Sequence, residues 1–221
     1  MRVAILTFDG FNEIDSFVGL HILNRLSSEG WRAELVGPSP TVTSTNGVVS
    51  SIQAPLDTAK DADVVLFGSG SGGRHVARDP KLRSEIELDP TSQYIGAQCS
   101  GTLLMASLGL LDGLPACTDD VTRPWAEEAG IEILDRPFVA HGRRATAGGC
   151  LSSVYLATWV IAATVGTATA ERAIRSVAPV GEAEDFVRHV VGVVEPYLRA
   201  TGSPVEPRHV DGGRADRPAL R

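Results

Sequence analysis

Short apolar runs alternate along this chain with segments whose apolar residues follow helical spacing. The clearest strand predictions are residues 3–8, 32–36, 64–67 and 94–98. The clearest helix predictions are residues 14–30, 101–111, 152–165, 168–177 and 182–198. Because strands that alternate with helices across short turns form βαβ units, this order predicts a mostly parallel sheet with helices on both faces.

Weaker patterns lie between these elements. Residues 41–53 predict a hairpin around an Asn-Gly pair, and residues 74–88 indicate a weak helix. Short strands are predicted at residues 116–118 and 131–134. We find no internal repeat in the sequence.

Length and charge narrow the possible functions of this 221-residue chain. We expect one domain at residues 1–200 and a loose tail, rich in Pro, Gly and Arg, at residues 201–221. The net charge is −7 and no segment concentrates basic residues, which argues against nucleic-acid binding. The longest apolar runs, such as residues 154–165, are shorter than the roughly 20 residues of a membrane span. The first apolar run is too short for a signal peptide, so we expect a cytoplasmic protein.

The chain has three cysteines, at positions 99, 117 and 150. An odd number argues against a closed disulfide framework, and in the cytoplasm we expect all three to be thiols. Cys99 lies in the segment YIGAQCSGT, where a predicted strand meets small residues that open a helix. This spacing is typical of a nucleophile elbow, a tight turn that needs small neighbours such as Ala97 and Gly101.

Such an elbow predicts that Cys99 points at solvent from the N-terminus of the following helix. That position favours negative charge, and therefore the thiolate over the thiol. The backbone N–H of Ser100 would then help to stabilise an anion on the substrate. The pattern alone is equally compatible with a buried, unreactive cysteine.

A glycine-rich segment, FGSGSGG at residues 67–73, overlaps the end of a predicted strand. Glycines allow backbone N–H groups to approach a ligand, so Ser69 or Gly70 is a candidate second oxyanion donor. The segment lacks the Gly-Lys-Ser/Thr ending of a phosphate-binding loop. A plain flexible turn is the alternative interpretation.

Two carboxylates, Glu13 and Asp15, lie between the first predicted strand and the first helix. The first strand of a parallel sheet ends near the elbow strand, so either carboxylate can face the Cys99 thiol. Asp15 can instead be only an N-cap or first-turn acid of the helix.

Together and in this order, these segments resemble the ThiJ/PfpI superfamily, which lies within the class I glutamine amidotransferase-like fold. The resemblance covers residues 2–198 and rests on four motifs: TFDGFNEID at 7–15, VVLFGSG at 64–70, GAQCSG at 96–101 and ATAGG at 145–149. It implies a flavodoxin-like, three-layer α/β/α sandwich with a mostly parallel sheet and a nucleophile elbow. It also implies a homodimer that acts on a small molecule.

The resemblance assigns roles to particular residues. Cys99 matches the elbow cysteine, and Asp15 matches the carboxylic residue that hydrogen-bonds it. Many members have Glu at that position, whereas isonitrile hydratases have Asp. Oxyanion or substrate-binding positions are matched by Ser100, Ser69, Gly70 and Gly149. Further residues that could line the pocket are Phe11, Glu13, Asp119 and Cys150.

One departure from the family pattern concerns histidine. Protease-like and glyoxalase-like relatives place a His just after the strand that follows the elbow helix, but this chain reads ACTDD at residues 116–120. A Cys–His pair is therefore disfavoured, although His75 or His141 could enter the pocket from elsewhere.

The other two cysteines have a simpler interpretation. Cysteines are commonly buried in protein cores, which favours a structural role for Cys117 and Cys150, and Cys150 is the better candidate of the two for lining the pocket.

The resemblance favours an isonitrile hydratase-like hydro-lyase, which converts an isonitrile to an N-substituted formamide. Cys99 would form a thioimidate, and Asp15 would act first as acid and then as base. The enzymatic alternative is a glyoxalase or deglycase acting on 2-oxoaldehydes. The non-enzymatic alternative is a redox sensor or chaperone-like stress protein, with Cys99 oxidised to a sulfinic acid. We expect no cofactor, and the scattered histidines disfavour a metal site.

Overall fold

The computed structural model describes residues 1–198, and its centre is a seven-stranded sheet. The strands are β1 (Arg2–Leu6), β2 (Arg32–Gly37), β3 (Thr41–Thr43), β4 (Val49–Ser51), β5 (Ala54–Pro55), β6 (Val64–Phe67), β7 (Tyr94–Gln98), β8 (Phe138–His141) and β9 (Arg144–Ala147). The sheet has the order β5-β2-β1-β6-β7-β9-β8, and all neighbours are parallel except the edge pair β8–β9. The strands β3 and β4 form a separate antiparallel hairpin.

Helices follow most of the parallel strands. They are α1 (Glu13–Leu23), α2 (Gly73–Arg78), α3 (Pro80–Ser84), α4 (Gly101–Ser107), α5 (Arg123–Glu128), α6 (Ser153–Val165), α7 (Thr167–Ile174) and α8 (Ala183–Leu198). Short 3-10 helices occur at Asn24–Glu29, Leu56–Asp61, Cys150–Ser152 and Arg175–Val177.

The core has two halves, one on each face of the sheet. Alternate residues of β1 show this directly, since Val3 and Ile5 belong to one buried cluster, whereas Ala4 and Leu6 belong to the other. Buried residues of α1, α6, α7 and α8 cover the first face, and those of α2, α4 and α5 cover the second. A flavodoxin-like three-layer α/β/α sandwich is therefore confirmed.

Most predicted elements form, with three local differences. The helix predicted at residues 74–88 is interrupted because Asp79 caps a new helix that starts at Pro80. The helix predicted at 101–111 ends at Ser107, before Gly109 with its positive φ of 71°. The strands predicted at 116–118 and 131–134 are wrong, because a single bridge between Ala116 and Ile133 is all that joins them.

Two further predictions concern the C-terminal tail and membrane-spanning segments. The tail predicted at residues 201–221 lies outside the described residues, as do positions 199–200. Within the described part of the chain, no helix is long and apolar enough to cross a membrane.

Candidate active site

Cys99 lies between the end of β7 and the start of α4, in the strained conformation of a nucleophile elbow. Its φ is 47°, and it is the one non-glycine residue among positions 1–198 with a positive φ. Gly101 makes the turn possible, because a Cβ atom there would lie 2.6 Å from the Gly68 carbonyl oxygen and 2.7 Å from that of Phe67. The elbow therefore depends on a missing side chain as well as on the cysteine.

The Cys99 side chain is buried, with 4% of its surface exposed, so the expectation that it points at solvent is wrong. The reason lies in two distant segments that close over the elbow. One is the first turn of α1, which brings Asp15, and the other is the turn at Gly149 and Cys150 that precedes α6. The backbone N–H of Gly149 donates a hydrogen bond to the Cys99 sulfur. Gly149 has a φ of 89°, which favours glycine at this position.

Asp15 is a buried carboxyl held by two side chains. Asn12 caps α1, which places Asp15 in the first turn with its side chain directed inward. The Gln98 side-chain amide donates to Asp15 Oδ1 at 2.8 Å, and the Ser69 hydroxyl donates to Asp15 Oδ2. Burial raises the pKa of Asp15 to about 7, and the negative charge of Asp119 adds to the rise.

Gln98 is a residue that the sequence interpretation missed. Its amide nitrogen bonds the Asp15 carboxyl and also approaches the carbonyl oxygens of Cys150, at 2.6 Å, and Gly149, at 3.2 Å. One side chain thus ties α1 to the turn before α6. The available signal in the sequence was a polar glutamine at the end of an apolar predicted strand, directly before the elbow cysteine.

The charges around Cys99 favour the thiol over the thiolate. Burial raises the pKa of Cys99 well above its usual range, and the nearby carboxylates of Asp15 and Asp119 raise it further, against the opposing Gly149 hydrogen bond. The expected stabilisation of a thiolate by the helix N-terminus is outweighed by these effects. In the resting pair the sulfur holds its proton, and Asp15 is the group that titrates near neutral pH.

Cys150 completes a compact cluster. The sulfurs of Cys99 and Cys150 and a carboxylate oxygen of Asp15 all lie within 4.8 Å of one another. The Asn12 side-chain amide donates to the Cys150 sulfur at 3.1 Å. The preference for a merely structural Cys150 is therefore not supported. As metal donors, the three groups are one short of the four ligands of a closed zinc site.

The glycine-rich loop holds the site together through bonds that were not expected. The Gly70 N–H donates to the Ser100 hydroxyl at 3.0 Å, and that hydroxyl lies 3.0 Å from the Gly70 carbonyl oxygen. The Ser69 hydroxyl donates a hydrogen bond to the Asp15 carboxyl, and the Ser69 carbonyl oxygen accepts one from the Asn12 N–H. The Gly70 N–H therefore already has the Ser100 hydroxyl as its hydrogen-bond acceptor. The Ser100 N–H lies at the start of α4, where backbone N–H groups have no carbonyl partner within the helix.

Two candidate pocket residues make their contacts outside the cluster of Asp15, Cys99 and Cys150. Glu13 accepts hydrogen bonds from the Ser44 hydroxyl and from the Asn46 side-chain amide, at 3.0 Å for the latter. These bonds lower the pKa of Glu13 and bind it to the β3–β4 hairpin. Phe11 is buried and packs edge-on against Phe17, with ring centroids 5.7 Å apart, and it lines a small cavity together with Ser69, Gly70 and Ser100. Of the two predicted carboxylates, Asp15 is therefore the one beside Cys99.

Asp119 and the histidines lie outside the cluster of Asp15, Cys99 and Cys150. The Asp119 carboxylate accepts from the backbone N–H groups of Val121 and Thr122, at 3.0 Å each, and acts on the cluster through its charge. The His141 ring bonds the Pro115 carbonyl oxygen at 2.9 Å. Among residues 1–198, no histidine, His75 included, joins Asp15, Cys99 and Cys150.

The fold and the elbow define a flavodoxin-like α/β protein with a buried pair of cysteine and carboxyl side chains. The model of the DJ-1/PfpI family matches residues 1–163, and the chain belongs to this family. No functionally curated protein matches the sequence.

Similar solved structures support the same fold. A ThiJ/PfpI family protein from Pseudomonas syringae has a TM-score of 0.70 and 22% identity, over 91% of this chain and 90% of that one. A mutant of a DJ-1 superfamily protein from Salmonella typhimurium has a TM-score of 0.67 and 22% identity, with 80% and 97% covered. Oxidized DJ-1 from Toxoplasma gondii has a TM-score of 0.65 and 15% identity, again with 80% and 97% covered.

Proposed function

We propose that this protein is an isonitrile hydratase-like enzyme, in which Cys99 is the nucleophile and Asp15 moves the protons. The observation that supports this is a buried carboxyl, with its pKa raised to about 7, beside the Cys99 sulfur. A group that titrates near neutral pH both takes and returns a proton readily. Many members of the DJ-1/PfpI family are enzymes.

In the first half-reaction, the Asp15 carboxylate takes the proton of the Cys99 thiol. The thiolate adds to the terminal carbon of the isonitrile, and protonated Asp15 gives the proton to that same carbon. The product is a neutral thioimidate on Cys99, and Asp15 is again a carboxylate. One residue therefore serves as base and then as acid, with no histidine required.

In the second half-reaction, the Asp15 carboxylate takes a proton from water, and the hydroxide adds to the thioimidate carbon. Asp15 returns the proton to the substrate nitrogen. The new hydroxyl then loses its proton through Asp15 to the departing sulfur as the carbon–sulfur bond breaks. The N-substituted formamide leaves, and Cys99 is again a thiol.

The hydrogen bonds of the site fit this chemistry better than that of a 2-oxoaldehyde. Addition to a carbonyl places negative charge on oxygen and needs donors aimed at it, but the Gly70 N–H is engaged by Ser100. Addition to an isonitrile carbon forms no oxyanion in the first half-reaction. Glyoxalase or deglycase activity is the outcome that would replace this proposal.

The test is turnover of a simple alkyl isonitrile by the full chain, with the formamide detected by gas chromatography. We expect formamide from the wild type and none above background from Cys99→Ala. Cys117→Ala is the matched control, because Cys117 is buried away from the cluster. Lactate from methylglyoxal without any formamide would overturn the proposal, and so would equal formamide yields from the wild type and Cys99→Ala.

We further propose, from the family resemblance, that the enzyme works as a cytoplasmic homodimer on a small molecule without a cofactor. Light scattering after size-exclusion chromatography measures the assembly directly. A monomer at micromolar concentration would contradict this part.

A further inference from the structure

We propose that Cys150 is the resolving thiol of Cys99, so that a hydroperoxide converts the two into a disulfide that reversibly blocks the nucleophile. The supporting observation is the cluster itself, in which the two sulfurs lie within 4.8 Å of each other and of the Asp15 carboxylate. Both cysteines are free thiols. The proposal needs Cys99 to react with an electrophile but does not depend on the identity of the substrate.

The remaining gap is small enough for one side chain to close. A disulfide has a sulfur–sulfur length of about 2 Å, so the two atoms must approach by at most about 3 Å. A change of one χ1 rotamer moves a cysteine sulfur by about 3 Å. Cys150 has more room to change rotamer than Cys99, since Cys150 is partly exposed and Cys99 is buried.

The surroundings of Cys150 hold its backbone and orient its sulfur. Its carbonyl oxygen accepts from Gln98 at 2.6 Å, which fixes the turn beside the elbow. Its sulfur accepts from the Asn12 amide at 3.1 Å, and Asn12 Oδ1 is occupied by the Ile14 N–H, so the nitrogen faces the sulfur. Burial and the negative charge of Asp15 raise the pKa of Cys150, and the Asn12 hydrogen bond opposes that rise, so the thiolate that attacks Cys99 forms by proton transfer to Asp15.

The chemistry balances with a hydroperoxide as the oxidant. Asp15 takes the Cys99 proton, and the thiolate attacks the terminal hydroxyl oxygen of the hydroperoxide. The oxygen–oxygen bond breaks, the sulfur becomes a sulfenic acid, and the departing alkoxide takes the proton from Asp15. Cys150 then gives its proton to Asp15 and attacks the Cys99 sulfur. The sulfur–oxygen bond breaks, hydroxide leaves as water with that proton, and the two thiols have supplied the two electrons.

Disulfide formation competes with further oxidation of Cys99 to a sulfinic acid. That second oxidation needs another peroxide molecule to reach Cys99, a residue that is only 4% exposed. Cys150 is already within 4.8 Å, so its attack is intramolecular and has a high effective concentration. The structure therefore favours the reversible product at low peroxide.

The experiment treats the full-length protein with one equivalent of hydrogen peroxide and measures its intact mass and peptide map. For the wild type we expect the loss of two hydrogen atoms, a peptide pair linked through Cys99 and Cys150, and full reversal by dithiothreitol. For Cys150→Ser we expect no link, the gain of one oxygen atom on Cys99 at one equivalent, and the gain of a second oxygen atom when a second equivalent is added. Cys117→Ala is the matched control and should behave as the wild type.

Two results would overturn the proposal. One is a wild-type protein that gains oxygen on Cys99 while Cys150 still reacts with iodoacetamide. The other is a link that persists in Cys150→Ser or that joins different molecules. Because the readout is mass, a Cys99–Cys150 link in a protein whose reduced form makes no formamide would reject the proposed function and leave this inference standing.

Discussion

Cys99 and Cys117 are both buried thiols in one domain, and the contrast between them shows what makes a cysteine chemically useful. Cys117 is fully buried, its N–H donates to the Thr146 hydroxyl at 2.7 Å, and its carbonyl oxygen accepts from the Thr102 hydroxyl at 3.0 Å. Cys99 is nearly as buried but lies against the Asp15 carboxyl.

Burial raises the pKa of both thiols, to about 12 for Cys117 and further for Cys99. A high pKa therefore does not separate the two residues. The difference is a proton acceptor within reach, because Asp15 has a pKa of about 7 and lies beside Cys99. A buried thiol becomes a nucleophile when a neighbouring group can take its proton during the reaction.

The largest expected effect tests the two cysteines directly. Cys99→Ala should lower kcat/KM for formamide formation by about 1,000-fold or more, because the covalent step is lost. Cys117→Ala should change kcat/KM by less than about twofold while lowering the free energy of unfolding by about 1 kcal/mol. Steady-state kinetics and urea unfolding measure the two effects. Equal kinetic losses in the two variants would show that burial, not the carboxyl, sets reactivity.

Asp15→Asn should have the next largest effect, a loss of about 100-fold in kcat/KM, because the proton carrier is removed. The substitution also removes a negative charge beside the sulfur, so the pKa of Cys99 should fall. The pH dependence of alkylation by iodoacetamide measures that fall.

The control is Glu13→Gln, in the same helical turn. Because Glu13 bonds Ser44 and Asn46 rather than the cluster, its replacement should leave both alkylation and kcat/KM within about twofold. An unchanged alkylation profile in Asp15→Asn would contradict the charge coupling.

The pH dependence of stability should distinguish the site from the rest of the fold. Asp15 has an ordinary pKa of 3.8 when unfolded and about 7 when folded. Between these values the unfolded chain binds fewer protons, so the free energy of unfolding falls as pH rises from about 4 to about 7, by on the order of 3 kcal/mol. The Asp15→Asn variant should lack this decrease in urea unfolding. Over the same range kcat/KM should rise towards pH about 7, because catalysis starts from the carboxylate.

The smallest effect is expected for Gln98→Met, which removes the amide that joins Asp15 to the Cys150 turn. We expect kcat to fall by about tenfold with little change in KM, since positioning is weakened while the pocket is kept. Loss of a donor to the carboxylate should also move the pH profile of kcat/KM upward. A variant that loses only stability, with an unshifted profile, would make Gln98 purely structural.

Local patterns predicted most of the architecture. The strands at residues 64–67 and 94–98 agree with the structure, as does the hairpin around Asn46 and Gly47. The strands predicted at residues 116–118 and 131–134 were wrong, because a strand needs partners that no local pattern supplies. The helical segment before residue 88 was interrupted at Asp79, a capping residue followed by proline.

The site was less predictable than the fold. The small residues at the elbow indicated Cys99, because steric limits on a tight turn act between neighbours in sequence. Gln98 and Asn12 escaped notice because their roles come from bonds to residues far away in the chain.

The sequence by itself determined the layered sheet, the elbow at Cys99 and the existence of an acid near the end of the first strand, since these follow from periodicity and local spacing. The family resemblance selected Asp15 over Glu13 as the partner of that cysteine. Only the tertiary structure decided that Cys99 is buried, that Gln98 and Ser69 hold Asp15, and that Cys150 lies beside the sulfur. The physical reason is separation along the chain. Gln98 meets Asp15 across 83 residues, and Asn12 meets Cys150 across 138.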